Sequence, residues 1–328
     1  MPCLSNHAFA RHLEIFIHGN WQEVFAIIVD LAVIILNWNA AEDTICCIRR
    51  LSTWENLRVA IWVVDNASTG DSAQQVAQQY PNASLLRNAT NLGFAGGTNR
   101  GITAALAVGN QPILLLNNDA FMDEEAADRL LQTLRQDETI GLVAPLLFEA
   151  GQGGKLLSAG GKNPVKHHQT RVLNVPKGPL FNVESVSGTA VLIRAAVLRE
   201  VGLLDERFFF STELADLCWR ARRSGYRIVV DVRARAFHDV GRSSPLRETL
   251  YAYYIVRNRF LFLRNHYRRH LELYSFWTLY TLALWLKLLW AGQRQSACAI
   301  RLGLADGLRG RFGGQNERVL AACATLAS

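Results

Sequence analysis

Residues 31–39 read LAVIILNWN, and this stretch decides the fold class. A strand with one wet face alternates apolar and polar residues, whereas a strand covered on both faces need not. LAVIIL is continuously apolar and rich in β-branched residues, and it stops abruptly at Asn37-Trp38-Asn39. A helical pattern carrying Cys47, Ile48 and Leu51 follows. The unit then repeats. VAIWVV (59–64) ends in Asp65-Asn66-Ala67-Ser68-Thr69-Gly70, with a helix expected over 71–80. ASLLRN (83–88) reads as a short third strand, and PILLL (112–116) as a fourth that ends in Asn117-Asn118-Asp119. Between them Gly93 to Gly101 reads as a glycine-rich loop leading into an alanine-rich helix. Unalternating strands separated by helices predict a doubly wound α/β domain, Rossmann-like in its first half.

The polar clusters all sit immediately after strands. In an open parallel sheet, ligands bind in the crevice beyond the carboxyl ends of the strands. Any one cluster alone is an ordinary turn or cap, but three at three strand ends converge on one crevice. Gly93, Gly96, Gly97 and Gly101 do not form a dinucleotide fingerprint. That motif follows the first strand directly, and here the first strand exits into NWNAAED. Asp119 suits a single-carboxylate site for Mg²⁺ or Mn²⁺, or else caps the helix expected to begin near Met122. His238, at the exit of YRIVVDVRARAFHDV, is by itself either an ordinary histidine or a ligand.

FFFSTELADLCWR (208–220) poses the sharper question. Ser211 or Thr212 could cap a helix whose first turn holds Glu213 and Asp216. Those acids either favour the helix dipole or share a face and point at something.

The chain has 328 residues, is 50% hydrophobic and 19% charged, enough for one large domain and an appendage. Its six cysteines (Cys3, Cys46, Cys47, Cys218, Cys298, Cys323) lack metal or disulfide spacing, which predicts reduced thiols facing the cytosol. Residues 241–328 hold 13 Arg or Lys against 4 Asp or Glu, while 1–240 hold 22 against 24. The basic character thus belongs to the C-terminal part, which argues against nucleic acid and for an anionic surface met by the tail. In that part Arg257, Arg259, Arg264, Arg268 and Arg269 precede LYSFWTLYTLALWLKLLW (273–290). This run is at the lower edge of spanning length, and Tyr274, Trp277, Tyr280, Trp285 and Trp290 suit a membrane interface, with Lys287 snorkelling. A spanning helix, an interfacial helix and a helix packed on the domain all fit. Residues 1–30 lack a cleavage pattern and predict no signal peptide. They read as a poorly ordered extension or a short membrane-surface helix, 31–265 as the main domain, and 266–328 as a membrane-associating helical tail.

The ordered series VIILNWN, VVDNAST, NLGFAGGTNRG, ILLLNND, SGTAVLIR, GLLDERFF, E-x-x-D-L-C-W-R-A-R and AFHDVGRSS resembles glycosyltransferase family 2, the inverting enzymes of the GT-A fold. Its rhamnosyltransferase-like branch, which serves surface polysaccharide synthesis, is the most similar. The resemblance covers about 31–265 and implies a mixed central sheet flanked by helices. It implies a nucleotide-sugar donor, with a dTDP- or UDP-sugar favoured, and a glycan or lipid-linked acceptor at the cytoplasmic face of the membrane. Asn37 and Asn39 match residues bordering the nucleotide, and Asp65 matches the aspartate that binds the pyrimidine base, with Asn66 beside it. Asn91, Gly93, Phe94, Gly97 and Asn99 match the segment lying against the nucleotide. Asn118 and Asp119 stand in the DXD-type motif, Asp119 being its metal-binding carboxylate, and His238 matches a histidine that completes the metal site. Gly188 and Thr189 match a loop near the donor sugar and acceptor. Glu213 and Asp216 fall in the Glu-Asp-x-Asp element that supplies the catalytic base, but Leu214 stands where the second acid of the Glu-Asp pair lies. Asp216, which keeps its place, is the favoured base. The rival is a catalytically silent, membrane-tethered sugar-nucleotide-binding protein.

Overall fold

The computed structural model describes residues 29–151, 154–175, 177–239 and 245–324, so the expected N-terminal extension, apart from its last two residues, lies outside them. The first half runs β1 (Leu31–Asn37), α1 (Ala41–Leu51), β2 (Val59–Asp65), α2 (Ser72–Gln79), β3 (Ser84–Arg87), α3 (Gly93–Val108) and β4 (Ile113–Leu116). Then come β5 (Ala120–Phe121), α4 (Glu124–Gln136), β6 (Ile140–Glu149), β7 (Leu156–Ser158), β8 (Leu180–Asn182), β9 (Ala190–Ile193) and α5 (Ala195–Val201). A 3₁₀ turn (Glu206–Phe208), α6 (Glu213–Arg223) and β10 (Arg227–His238) lead to four helices, α7 (Pro245–His266), α8 (Leu271–Trp290), α9 (Arg294–Arg309) and α10 (Asn316–Ala324).

The sheet has ten strands in the order β3-β2-β1-β4-β9-β6-β10-β5, with β7 on β6 and β8 on β10. β3, β2, β1 and β4 are parallel. β9 enters antiparallel to both β4 and β6, which makes the sheet mixed. Register carries the functional consequence: β1 and β2 pair from Leu31↔Val59 to Asn37↔Asp65, so their polar ends lie side by side.

The unalternating pattern has the expected cause. Leu31, Val33 and Ile35 join one layer with Ile45 and Ile48 of α1 and Leu130 and Leu134 of α4. Ala32 and Ile34 join the opposite layer with Ile102 of α3 and Leu217 of α6. Successive strand residues point to opposite faces, and both faces are covered.

Residues 93–101 are not a loop. α3 starts at Gly93 itself, despite the poor helix propensity of glycine. The glycines let the helix sit close to the sheet: a Cβ on Gly97 would lie 2.4 Å from Leu36 Cδ1, and one on Gly101 would lie 2.6 Å from Ile34 Cγ2. Packing overrides propensity here.

The C-terminal helices pack back onto the domain. Trp277 is buried and its indole donates to the Val165 carbonyl at 2.9 Å, so it is not at an interface. No described helix is long and apolar enough to cross a membrane, which removes the spanning alternative. Two of the arginines read as headgroup contacts are structural instead. Arg257 is fully buried. Arg259 lies 3.7 Å over the Trp277 ring and donates to the Pro164 carbonyl, and burial pushes its pKa down to about 10.

Candidate active site

The carboxyl ends of β1, β2 and β4 form one polar floor. Asn37, fully buried, donates from Nδ2 to Asp65 Oδ1 at 2.8 Å and Ser72 Oγ at 3.1 Å, and its Oδ1 accepts from Thr44 at 2.9 Å. Asp65 Oδ2 accepts from the Ser68 amide. Asn39, at φ 54°, accepts from the Thr69 amide at 2.7 Å. The two strand exits are thereby locked together around the Asp65 carboxylate. Trp38, between those asparagines, is 49% exposed. Thr44 Oγ1 also accepts from Asn118 Nδ2 at 3.1 Å, tying the third cluster to the first.

Asn66 spends its whole side chain on the chain leading into α3. It donates to Asn91 Oδ1 at 2.9 Å and the Gly93 carbonyl at 3.0 Å, and it accepts from Asn88 Nδ2 and the Leu92 amide, both at 3.0 Å. Asn99 likewise clips α3 to Leu204 and Glu206. Both shape the wall of the crevice. Phe94 packs with Leu214 of α6 over Gly188, where a Cβ would lie 3.0 Å from Leu214 Cδ2 and 3.1 Å from the Phe94 ring. Thr189 accepts from the Asn117 amide at 2.9 Å through its carbonyl, so the 188–189 segment abuts the exit of β4.

Asp119 is not a helix cap. That task falls to Asp123, whose side chain accepts from the Ala126 amide at 2.8 Å. Asp119 instead faces His238, brought beside it by the antiparallel pairing of β5 with β10. Asp119 Oδ1 and His238 Nε2 stand 3.1 Å apart, yet they are not aligned as a hydrogen bond and neither buried atom has another partner. Two octahedral ligands of a cation at about 2.1 Å lie roughly 3 Å apart, so the pair fits adjacent positions on one Mg²⁺ or Mn²⁺. Among the described residues no third His, Cys, Asp or Glu joins them, which leaves the remaining positions to phosphate oxygens and water.

The two acids of α6 part company. Asp216 is buried and fully engaged: Oδ2 accepts from Arg220 Nε at 2.8 Å, and Oδ1 meets His266 Nε2 at 2.7 Å and Asn265 Nδ2 at 3.3 Å. It lines a recess with Val201–Leu203, Asp205 and Arg220, away from the strand-end residues. Glu213 is also buried, but its Oε2 has no partner. Burial, aided by the charge of Asp216, lifts its pKa from 4.5 to about 7.

The turn before Glu213 holds the residues that sequence reasoning missed. Phe209, Ser211 and Thr212 have φ of 64°, 70° and 76°, a left-handed conformation costing non-glycine residues about 1–2 kcal/mol each. Neither Ser211 nor Thr212 was found as a side-chain cap; Thr212 holds the cap position without a side-chain bond. Buried Asn258 of α7 holds the turn instead, donating to the carbonyls of Phe208 (3.1 Å), Phe210 (2.8 Å) and Ser211 (2.7 Å). Arg257 Nη2 adds Phe208 at 2.7 Å. A polar Arg-Asn pair inside an aromatic run was the available signal.

Comparison with known proteins agrees with this geometry. The chain is 26% identical over 255 residues to the low-salt glycan biosynthesis hexosyltransferase of Haloferax volcanii, covering 76% of this chain and 80% of that one. It is 26% identical over 213 residues to the N-acetylglucosaminyl-diphospho-decaprenol L-rhamnosyltransferase of Mycobacterium tuberculosis, covering 57% and 68%. A mannosyltransferase of Pyrobaculum calidifontis, solved with GDP-Man and Mn²⁺, superposes with a TM-score of 0.54 at 14% identity, over 98% of this chain and 87% of that one. The fold is that of GT-A glycosyltransferases. Residues 30–259 match the family described as glycosyltransferase like family 2, and the chain belongs to that family: it is a glycosyltransferase.

Proposed function

We propose that this enzyme moves a sugar, with inversion, from a pyrimidine nucleoside-diphosphate donor to a glycan or lipid-linked acceptor in envelope or surface polysaccharide synthesis, at the cytoplasmic face of the membrane. The observation that carries this reading is the unsatisfied Asp119–His238 pair beside the polar floor around Asp65. The relatives' names, a glycan hexosyltransferase and a rhamnosyltransferase of a diphospho-decaprenol, support the acceptor class.

In this proposal Asp65 receives the base of the nucleotide, and Asn37, Asn39 and Asn66 hold the walls that shape its pocket. Asp119 and His238 would hold a divalent cation, which when bound neutralises the charge developing on the diphosphate as it leaves. The acceptor hydroxyl attacks the anomeric carbon from the face opposite the leaving diphosphate. Its proton passes to Glu213, whose carboxyl, with Oε2 unpartnered and a pKa raised to about 7, meets the requirement of a general base. Asp216, locked by Arg220 and His266, supports the helix that carries Glu213.

The test is titration of the purified protein with UDP, dTDP and GDP, with and without Mn²⁺, followed by transfer assays with membrane extract. Mn²⁺-dependent binding of UDP or dTDP with transfer is the expected result. Absence of metal-linked pyrimidine-nucleotide binding refutes the donor assignment. Binding without turnover refutes Glu213 as a working base.

A further inference from the structure

We propose that the bare face of α8, with the basic side chains at its two ends, docks the protein onto an anionic lipid bilayer. This deepens the membrane-face reading above and rests on it. Among the described residues twelve large hydrophobics are exposed, and seven of them lie in α8. Phe276, Leu279, Leu282, Leu286, Leu289 and Trp290 recur at three- and four-residue steps, which makes them one continuous stripe. The opposite side of the same helix packs on the core through Trp277, Leu284, Trp285 and Leu288. A helix apolar on every side is normally covered on every side; here the described residues cover only one. A concentrated patch, unlike scattered exposed leucines, marks a surface that meets a partner.

Charge selects the partner. Arg268 and Arg269 stand exposed just before α8, and Lys287 and Arg294 stand exposed at its far end. The helix's one acid, Glu272, is paired with His270 at 2.6 Å. A second copy of the chain seated on this stripe would oppose like charges in either orientation. Parallel packing sets each basic end against itself, and antiparallel packing sets Lys287 and Arg294 against Arg268 and Arg269. Anionic headgroups neutralise both ends at once. Trp290, 93% exposed at the end of the stripe, suits the boundary between headgroups and acyl chains. Arg268 also rims a recess of about 820 Å³ whose lining includes Arg207, Arg264 and Glu206.

The experiment is flotation of the full chain with phosphatidylcholine vesicles, with and without phosphatidylglycerol. Wild type is expected to float with the anionic vesicles, and affinity to fall about fivefold for each basic side chain neutralised to Gln among Arg268, Arg269 and Lys287. The double variant Leu279→Glu/Leu286→Glu is expected to lose at least about tenfold, with an unchanged circular dichroism spectrum. Wild type that ignores anionic vesicles, or a double variant that binds them equally well, overturns the proposal. So does a wild-type dimer that the double variant splits. Mn²⁺-dependent nucleotide binding measured on the same samples separates the two readings: lost flotation with intact nucleotide binding overturns the docking face alone, and the converse overturns the donor site alone.

Discussion

Glu213→Gln tests the proposed base through stability as well as rate. Burial and the neighbouring Asp216 charge raise the Glu213 carboxyl from 4.5 to about 7 in the folded protein, while the unfolded chain returns it to its ordinary value. Between those two values the folded state binds more protons than the unfolded state. Stability therefore falls as pH rises through that window and is level above it. A shift of this size corresponds to about 3 kcal/mol. The variant removes the titration, so it should lack this loss and exceed wild type above neutrality by up to about 3 kcal/mol, less about 1–2 kcal/mol for an unmatched amide. Urea denaturation of both proteins at about pH 5 and about pH 8 measures the difference. Transfer should fall by roughly 10²–10⁴ in the variant with donor binding intact, and the wild-type rate should rise with pH through neutrality. Parallel stability curves for the two proteins would show that Glu213 does not titrate in this range, and the case for it as base would fail.

Asp119→Asn should weaken Mn²⁺-dependent UDP binding about tenfold or more while leaving metal-free binding unchanged; equal Mn²⁺ dependence in the variant would remove Asp119 from the metal site. Asp216→Asn, which strips buried partners from Arg220 and His266, should cost about 3–5 kcal/mol by denaturation. A variant as stable as wild type but inactive would return Asp216 to the base's role. Asn258→Ala leaves three carbonyls of the 208–211 turn without their donor and should cost about 1–3 kcal/mol, lowering kcat while the KM for donor holds. A rise in KM alone, with kcat unchanged, would contradict a positioning role. Gly93→Ala forces a Cβ to within 2.3 Å of the Phe209 carbonyl at φ +71° and should destabilise by at least about 2 kcal/mol, read as a lower unfolding midpoint.

The first half of the fold was legible because burial on both faces leaves a plain mark. LAVIIL, VAIWVV and ILLL carry no polar interruption, and each ends at or one residue before the end of its strand. The strand-end clusters could be placed for the same reason. Gly93 to Gly101 misled because local propensity says loop, and the contacts with Leu36 and Ile34 that make glycine necessary are invisible until the sheet is built. The arginines before α8 misled in the other direction. Composition cannot separate Arg257 and Arg259, buried against Tyr254 and Trp277, from Arg268 and Arg269, which face solvent. Only the packing of α7 against Trp277 and the 207–208 turn sorts them.

The choice between Glu213 and Asp216 lay beyond the sequence for a geometric reason. A spacing of three on a helix leaves about 60° between side chains, close enough to share a face and far enough to meet different neighbours. α7 supplies the neighbour that decides. Its last turn brings His266 and Asn265 onto Asp216, while Arg257 and Asn258, two turns earlier, fasten the left-handed turn that aims Glu213. Under the proposed mechanism, one helix thus withdraws one carboxylate from the chemistry and positions the other. The residues that accomplish this lie in a segment whose composition reads as part of a basic tail. With Leu214 in place of an acid, the proposed base Glu213 depends on that helix as much as on its own element. Substitutions along the inner face of α7 should therefore reach the rate without touching the donor site.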